Sequence, residues 1–208
     1  MGKTHLLLAL ALSGSTTAMP NLSELTPKTQ LAMFDDITAA PYPNNRIPIP
    51  YQGLNFGNFT IASVTEDKAV FGHAQLIPRS SPNYILSPDQ FSQGPVVFSI
   101  QDTSTTSFDL LEFWVACFDT DYDVHYATAC NLTVIGTEAS ATDPVETIEP
   151  LLFSYEPKSN SSASPMAKVT TNLFGLSSVL VGFYETSSAV QLITAVGTNS
   201  FKYVTHQG

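Results

Sequence analysis

Charge is what this sequence has least of. Of 208 residues, 8 are Lys or Arg and 18 are Asp or Glu, 12% in all, about half the roughly 25% usual in soluble domains. Disorder driven by charge is thereby excluded. The balance is -10, and no run of Lys or Arg interrupts it, so nothing offers the cationic footprint that nucleic-acid phosphates or an anionic membrane surface need. Both are excluded as partners. Two cysteines and four histidines are too few and too scattered for a zinc centre of the thiolate and imidazole type. No segment reaches the roughly 18 apolar residues of a membrane helix. A G-x-S-x-G nucleophile elbow is absent, and no His stands in a serine-hydrolase motif. Glycine (11) is outnumbered by proline (14), and helix-period stretches with caps are scarce.

What remains is apolar and aromatic. Hydrophobic residues make up 43% and aromatics 11%, enough for one domain with a substantial core. They fall in short runs with turn punctuation between them. Strands are expected at 31–35, 59–64, 69–71, 74–77, 96–101, 108–118, 130–136, 148–155, 169–174, 179–184, 190–195 and 200–204. Such spacing predicts an all-β antiparallel sandwich, in a single domain over 31–208. Pro41, Pro43, Pro48 and Pro50 mark an extended connection, since each removes a ladder donor. Residues 19–30, with Pro20 and Pro27, read as a loose arm.

Residues 1–18 read as a secretory signal. Lys3 and His5 precede the apolar run Leu6 to Leu12, and small residues lead to Ala18, where cleavage is expected. A buried N-terminal helix is the alternative. An extracellular protein follows from the first reading, and two further readings depend on it. N-x-S/T sequons at Asn21, Asn58, Asn131 and Asn160 become glycosylation acceptors. Cys117 and Cys130, ending one strand-like run and beginning the next, become a disulfide rather than a reactive thiol.

Four groups of residues are candidates for chemistry. Asp119, Asp121 and Asp123 alternate inside the loop that the bridge would close. Hard oxygens so spaced could take part in a calcium site, against a plain solvated acidic loop. It is not an EF-hand, because Val124 stands where the sharp-turn glycine belongs. Asp35 and Asp36 offer the same choice between calcium and a hydrogen-bonded turn. Glu112 interrupts an apolar strand, the pattern of an acid that burial could tune for glycoside chemistry, or of an outward-facing residue. His73 and His125 read as turn and loop residues; His206 is the remaining histidine after the leader. For sugar stacking the loop aromatics are Tyr42, Tyr51, Tyr84, Tyr122 and Tyr126. Tyr122 and Tyr126 are the preferred pair because they share the bridged loop. Trp114, the single tryptophan, reads as core.

Several motifs in order carry a resemblance. Phe34-Asp35-Asp36, Ile47-Pro48-Ile49-Pro50-Tyr51-Gln52-Gly53-Leu54-Asn55-Phe56-Gly57-Asn58-Phe59, Ser81-Pro82-Asn83 and Cys130-Asn131-Leu132-Thr133-Val134-Ile135-Gly136 resemble segments of small secreted fungal proteins of unassigned activity. The resemblance implies a jelly-roll β-sandwich similar to carbohydrate-binding modules, located outside the cell. Together these readings lead to the expectation of a non-catalytic binding protein, without a required cofactor, whose partner is cell-wall or host polysaccharide. An extracellular protein partner is the alternative, and a glycoside-active enzyme is a third.

Overall fold

A computed structural model of the chain describes residues 27–38, 47–57, 59–64, 76–86, 96–100, 104–119, 127–139, 147–158, 164–183 and 194–208. The leader, most of the N-terminal arm, the run from Pro41 to Pro43, the expected strand at 69–71 and the loop at 120–126 lie outside them. So do the sequons Asn21, Asn58 and Asn160.

Period-two burial builds the strands. In Cys130–Glu138 the residues Leu132, Val134 and Gly136 point inward while Asn131, Thr133 and Ile135 point outward, the alternation that places successive side chains on opposite faces. The described residues form thirteen strands: β1 Lys28–Ala32, β2 Leu54–Asn55, β3 Thr60–Ser63, β4 Leu76–Ile77, β5 Asn83–Leu86, β6 Val96–Ile100, β7 Thr105–Asp119, β8 Ala127–Thr128, β9 Cys130–Glu138, β10 Leu151–Tyr155, β11 Ser164–Pro165, β12 Ala167–Phe183 and β13 Thr194–Gln207. Apart from the short parallel pair β4 and β11, all pairing is antiparallel. The fold is an all-β sandwich, as the strand spacing predicts.

One sheet path runs β10-β9-β12-β7-β13-β5-β3. The long strand β12 connects its two halves. Ala167 to Leu176 pairs with β7, whereas Leu176 to Phe183 pairs with β9 on one side and, from Ser178 to Val181, with β6 on the other. Register shifts separate these halves, and Asn172 (φ 50°) and Gly175 (φ 64°) take left-handed backbone there, as β-bulges do. This is why 169–174 and 179–184, expected as two strands, are one. Of the expected strand 190–195 only residues 194 and 195 are described, and they run on with the expected strand 200–204 in β13, whose break at Ser200 (φ 53°) is a bulge and not a turn. At the other end, β1 begins at Lys28, three residues inside the expected arm.

The core lies between the layers and is aromatic. Phe201 of β13 meets Phe98 of β6 at 5.1 Å, Phe113 of β7 at 5.3 Å, Phe56 at 5.4 Å and Phe34 at 6.1 Å between ring centroids, in the edge-to-face and offset geometries aromatic pairs favour. β6 and β13 are not hydrogen-bonded neighbours, so their rings meet across the core. The Cys117–Cys130 disulfide forms as the compartment argument expects and joins β7 to β9, strands that do not pair directly. Among the described residues no helix is long and apolar enough to cross a membrane.

Candidate functional site

The most developed surface is the outer face of the sheet formed by β12, β7, β13 and β1, and a change of phase in β7 creates it. Phe108 and Leu110 are buried, but so are Phe113 and Val115. An even and an odd series can both face inward only if a residue between them is bulged. The register against β13 steps from Lys202↔Glu112 to Tyr203↔Leu110, leaving Leu111 as the extra residue. Glu112 and Trp114 are thereby turned outward. Trp114, read from the sequence as core, is instead half-buried between Lys168 of β12 and Asn199 of β13.

Cross-strand register assembles the rest. One row runs Thr170, Glu112, Lys202 and Leu31 across the four strands. Above it lie Trp114, Met33, Arg79, Ser80 and Ser200, and with Glu112, Lys202 and Leu31 of that row they line a groove of about 470 Å³. Leu31 and Met33 are 46% and 40% exposed, so the groove has an apolar component beside the indole. The guanidinium carbon of Arg79 stands 5.6 Å from the Trp114 ring centroid, within cation–π range. Lys168 donates to Glu112 across 2.5 Å. Glu112 is the sole carboxylate among the described residues lining the groove.

Beneath the groove a buried polar cluster fixes its wall. Asn199 is fully buried; its amide nitrogen donates to the carbonyls of Met33 (3.2 Å) and Asn83 (2.7 Å). Its amide oxygen accepts from the Ser80 backbone (3.0 Å) and from the hydroxyls of Ser80 (3.0 Å) and Ser200 (2.5 Å). Met33, Ser80 and Ser200, three residues of the groove, therefore hang on one side chain. Asn83 carries the network on, donating to the carbonyls of Phe34 (2.8 Å) and Ile37 (2.7 Å). Buried amides satisfied on both sides are what holds irregular backbone in one arrangement.

The other candidates fall into place around this. Asp35 and Asp36 form a turn closed by the Ile37 amide donating to the Phe34 carbonyl (3.2 Å). Asp35 accepts from the Asn83 amide (3.2 Å), and Asp36 accepts from the Tyr51 hydroxyl (2.5 Å). A hollow of about 310 Å³ adjoins them, but both carboxylates serve the turn. Among the described residues no three His, Cys, Asp or Glu side chains converge as a metal centre would require. Asp119 ends β7; Asp121 and Asp123, and with them the calcium reading of that loop, lie outside the described residues. Tyr122, Tyr126, Tyr42, His73 and His125 do too.

Tyr51 and Tyr84 are not available for stacking on a ligand. Tyr84 is fully buried in β5 and Tyr51 nearly so, stacked on Phe34 at 5.0 Å. Burial, with the Asp36 carboxylate next to it, holds the Tyr51 hydroxyl well above the ordinary tyrosine range. Burial does the same to Tyr203, whose hydroxyl donates to the Gln52 carbonyl (2.9 Å), and pushes Tyr155 up to about 12. His206 lies on β13 with Nε2 2.8 Å from Asp109, which also accepts from the Gly175 amide (2.8 Å) at the β12 bulge. Asn131 is exposed on β9, its amide oxygen taking a hydrogen bond from Ser154 (2.7 Å).

No protein-family model matches the chain, and no curated protein matches it significantly. The sequence reading missed the groove because the signal that makes it, a single bulged residue in β7, leaves no mark in composition. The pair Lys202 and Glu112, each interrupting an apolar run on strands that later prove adjacent, was the one legible hint.

Proposed function

We propose that this protein is a secreted, non-catalytic binding protein that takes a segment of polysaccharide in the groove around Trp114. The observation that carries the reading is the composition of that groove. A half-buried indole with Leu31 and Met33 offers apolar contact to sugar ring faces, while Lys202 supplies donors and Glu112 and the Ser80 hydroxyl oxygen supply acceptors for hydroxyls. Hydrolysis of a glycosidic bond ordinarily takes two carboxyl groups about 5 to 10 Å apart, and the described lining holds one, already engaged by Lys168. The reading extends to a jelly-roll topology of the carbohydrate-binding-module kind, kinship with small secreted fungal proteins, export through the leader and glycosylation at the four sequons.

Affinity depends on few contacts, and association must first offset lost translational and rotational freedom, so binding is expected to be weak. Retention of the purified protein on insoluble glucans, chitin, mannans and plant-wall polymers tests the reading. Wild-type protein should be retained by at least one of them and released by Trp114→Ala. Retention lost instead in the Tyr122→Ala, Tyr126→Ala double variant would move the site to the bridged loop. No retention on any polymer favours an extracellular protein as the partner, and release of reducing sugar abolished by Glu112→Gln would make the protein an enzyme.

A further inference from the structure

Resting on that reading, the geometry points to an acidic polysaccharide, one carrying uronic acid carboxylates, as the class of ligand that the groove takes. The described basic residues are Lys28, Arg79, Lys158, Lys168 and Lys202. Arg79 and Lys202 line the groove, and Lys168 is bound to its Glu112. Three cations against one carboxylate leave a local surplus of two positive charges on a chain whose balance is -10. Neutral sugars need no such surplus.

Lys168 is neutralised by Glu112, but neither Arg79 nor Lys202 has an ion-pair partner among the described residues. The indole beneath its guanidinium orients Arg79, and a guanidinium presents a fork of donors that matches a carboxylate. Lys202, directly opposite Glu112 in the register of β7 and β13, supplies a second positive charge on the same face. A uronic acid residue in contact with Trp114 would thus have its carboxylate within the field of two cations while its hydroxyls face Ser80. Acidic residues elsewhere on the protein act weakly on that carboxylate, because salt screens charges separated by more than about 8 Å at physiological ionic strength.

Two forms of one polymer separate charge from shape: polygalacturonate and the same chain with its carboxyls methyl-esterified. Binding is measured by affinity electrophoresis or calorimetry with each. The acid form should bind at least about tenfold more tightly, the size of effect a charge-assisted hydrogen bond gives. That margin should shrink between about 0.05 and 0.5 M salt as screening sets in. Arg79→Gln and Lys202→Gln should each remove most of the preference, weakening the acid form several-fold more than the ester, while Lys158→Gln changes neither. Lys202 is exposed, so its variant keeps the test independent of any loosening of Trp114 by the Arg79 change. Equal affinity for acid and ester, both weakened by Trp114→Ala, would overturn the acidic class and leave polysaccharide binding standing. An acid preference that survives both cation variants would also overturn it. Absence of binding to either form, and to every neutral polymer, would instead bring down the functional reading beneath it.

Discussion

Replacing Asn199 by Ala should destabilise the protein more than any other single change in polar side chains on β13. The side chain is wholly buried and makes five hydrogen-bond contacts with Met33, Asn83, Ser80 and Ser200. Its removal takes the side-chain donor from the buried Asn83 carbonyl, leaves the Met33 carbonyl only its long contact from the Ser80 hydroxyl (3.5 Å), and takes the acceptor from the Ser80 amide. An unsatisfied buried group costs about 1 to 3 kcal/mol, and a typical hydrogen bond contributes about 1. Counting the Asn83 carbonyl as fully buried and the other two as partly solvated on relaxation gives about 3 to 5 kcal/mol. That is a large share of the about 5 to 15 kcal/mol by which domains are stable. Urea unfolding followed by circular dichroism should show the midpoint falling with the slope unchanged, the signature of lost stability rather than altered compactness. Asn199→Asp should be at least as damaging, since it aims a carboxylate oxygen at two carbonyls. A loss below about 1 kcal/mol for the alanine variant, or an Asp variant as stable as wild type, would refute the reasoning about this cluster.

Three further outcomes follow from the same geometry. Thiol titration of unfolded, unreduced protein should find no free sulfhydryl, and the Cys117→Ala, Cys130→Ala double variant should lose about 3 kcal/mol by the chain-entropy model for a loop of this size; one or two titratable thiols would contradict the bridge. Tyr51, Tyr155 and Tyr203 are held neutral in the fold by burial, all above the ordinary tyrosine range, with Tyr155 at about 12. Their folded values lie above the unfolded value of about 10, so their contribution is complete below about pH 10 and is lost as pH rises through the folded values. Urea midpoints measured from pH 9 to 12 should fall over that window and fall less in Tyr155→Phe, whereas a flat profile would contradict the burial assigned to these hydroxyls.

Sequence pattern was sufficient where strands alternate cleanly and insufficient where they bulge. β9 and β10 show the first case: Leu132, Val134 and Tyr155 are buried at period two. β7 shows the second. The apolar string Phe108-Asp109-Leu110-Leu111-Glu112-Phe113-Trp114 suggests a buried Trp, yet one extra residue at Leu111 reverses the phase and brings Trp114 and Glu112 to the surface together. Asn199 likewise falls in an expected turn, with Ser200 as the first residue of the next strand, because bulges and turns draw on the same short polar side chains and left-handed backbone. The Asp35-Asp36 pair was legible as a hydrogen-bonded turn, but its partners Asn83 and Tyr51 are supplied by tertiary contacts that no local pattern announces.

The central claim is that the groove around Trp114 receives the ligand, and Trp114 is the only tryptophan in the chain, so its emission reports on that groove and nowhere else. Titration of the native protein with oligogalacturonides, observed by tryptophan fluorescence, should give a saturable change in intensity or wavelength that Lys202→Gln shifts to higher concentration. Emission that stays constant at concentrations where calorimetry shows the oligosaccharide bound would place binding elsewhere and contradict the account.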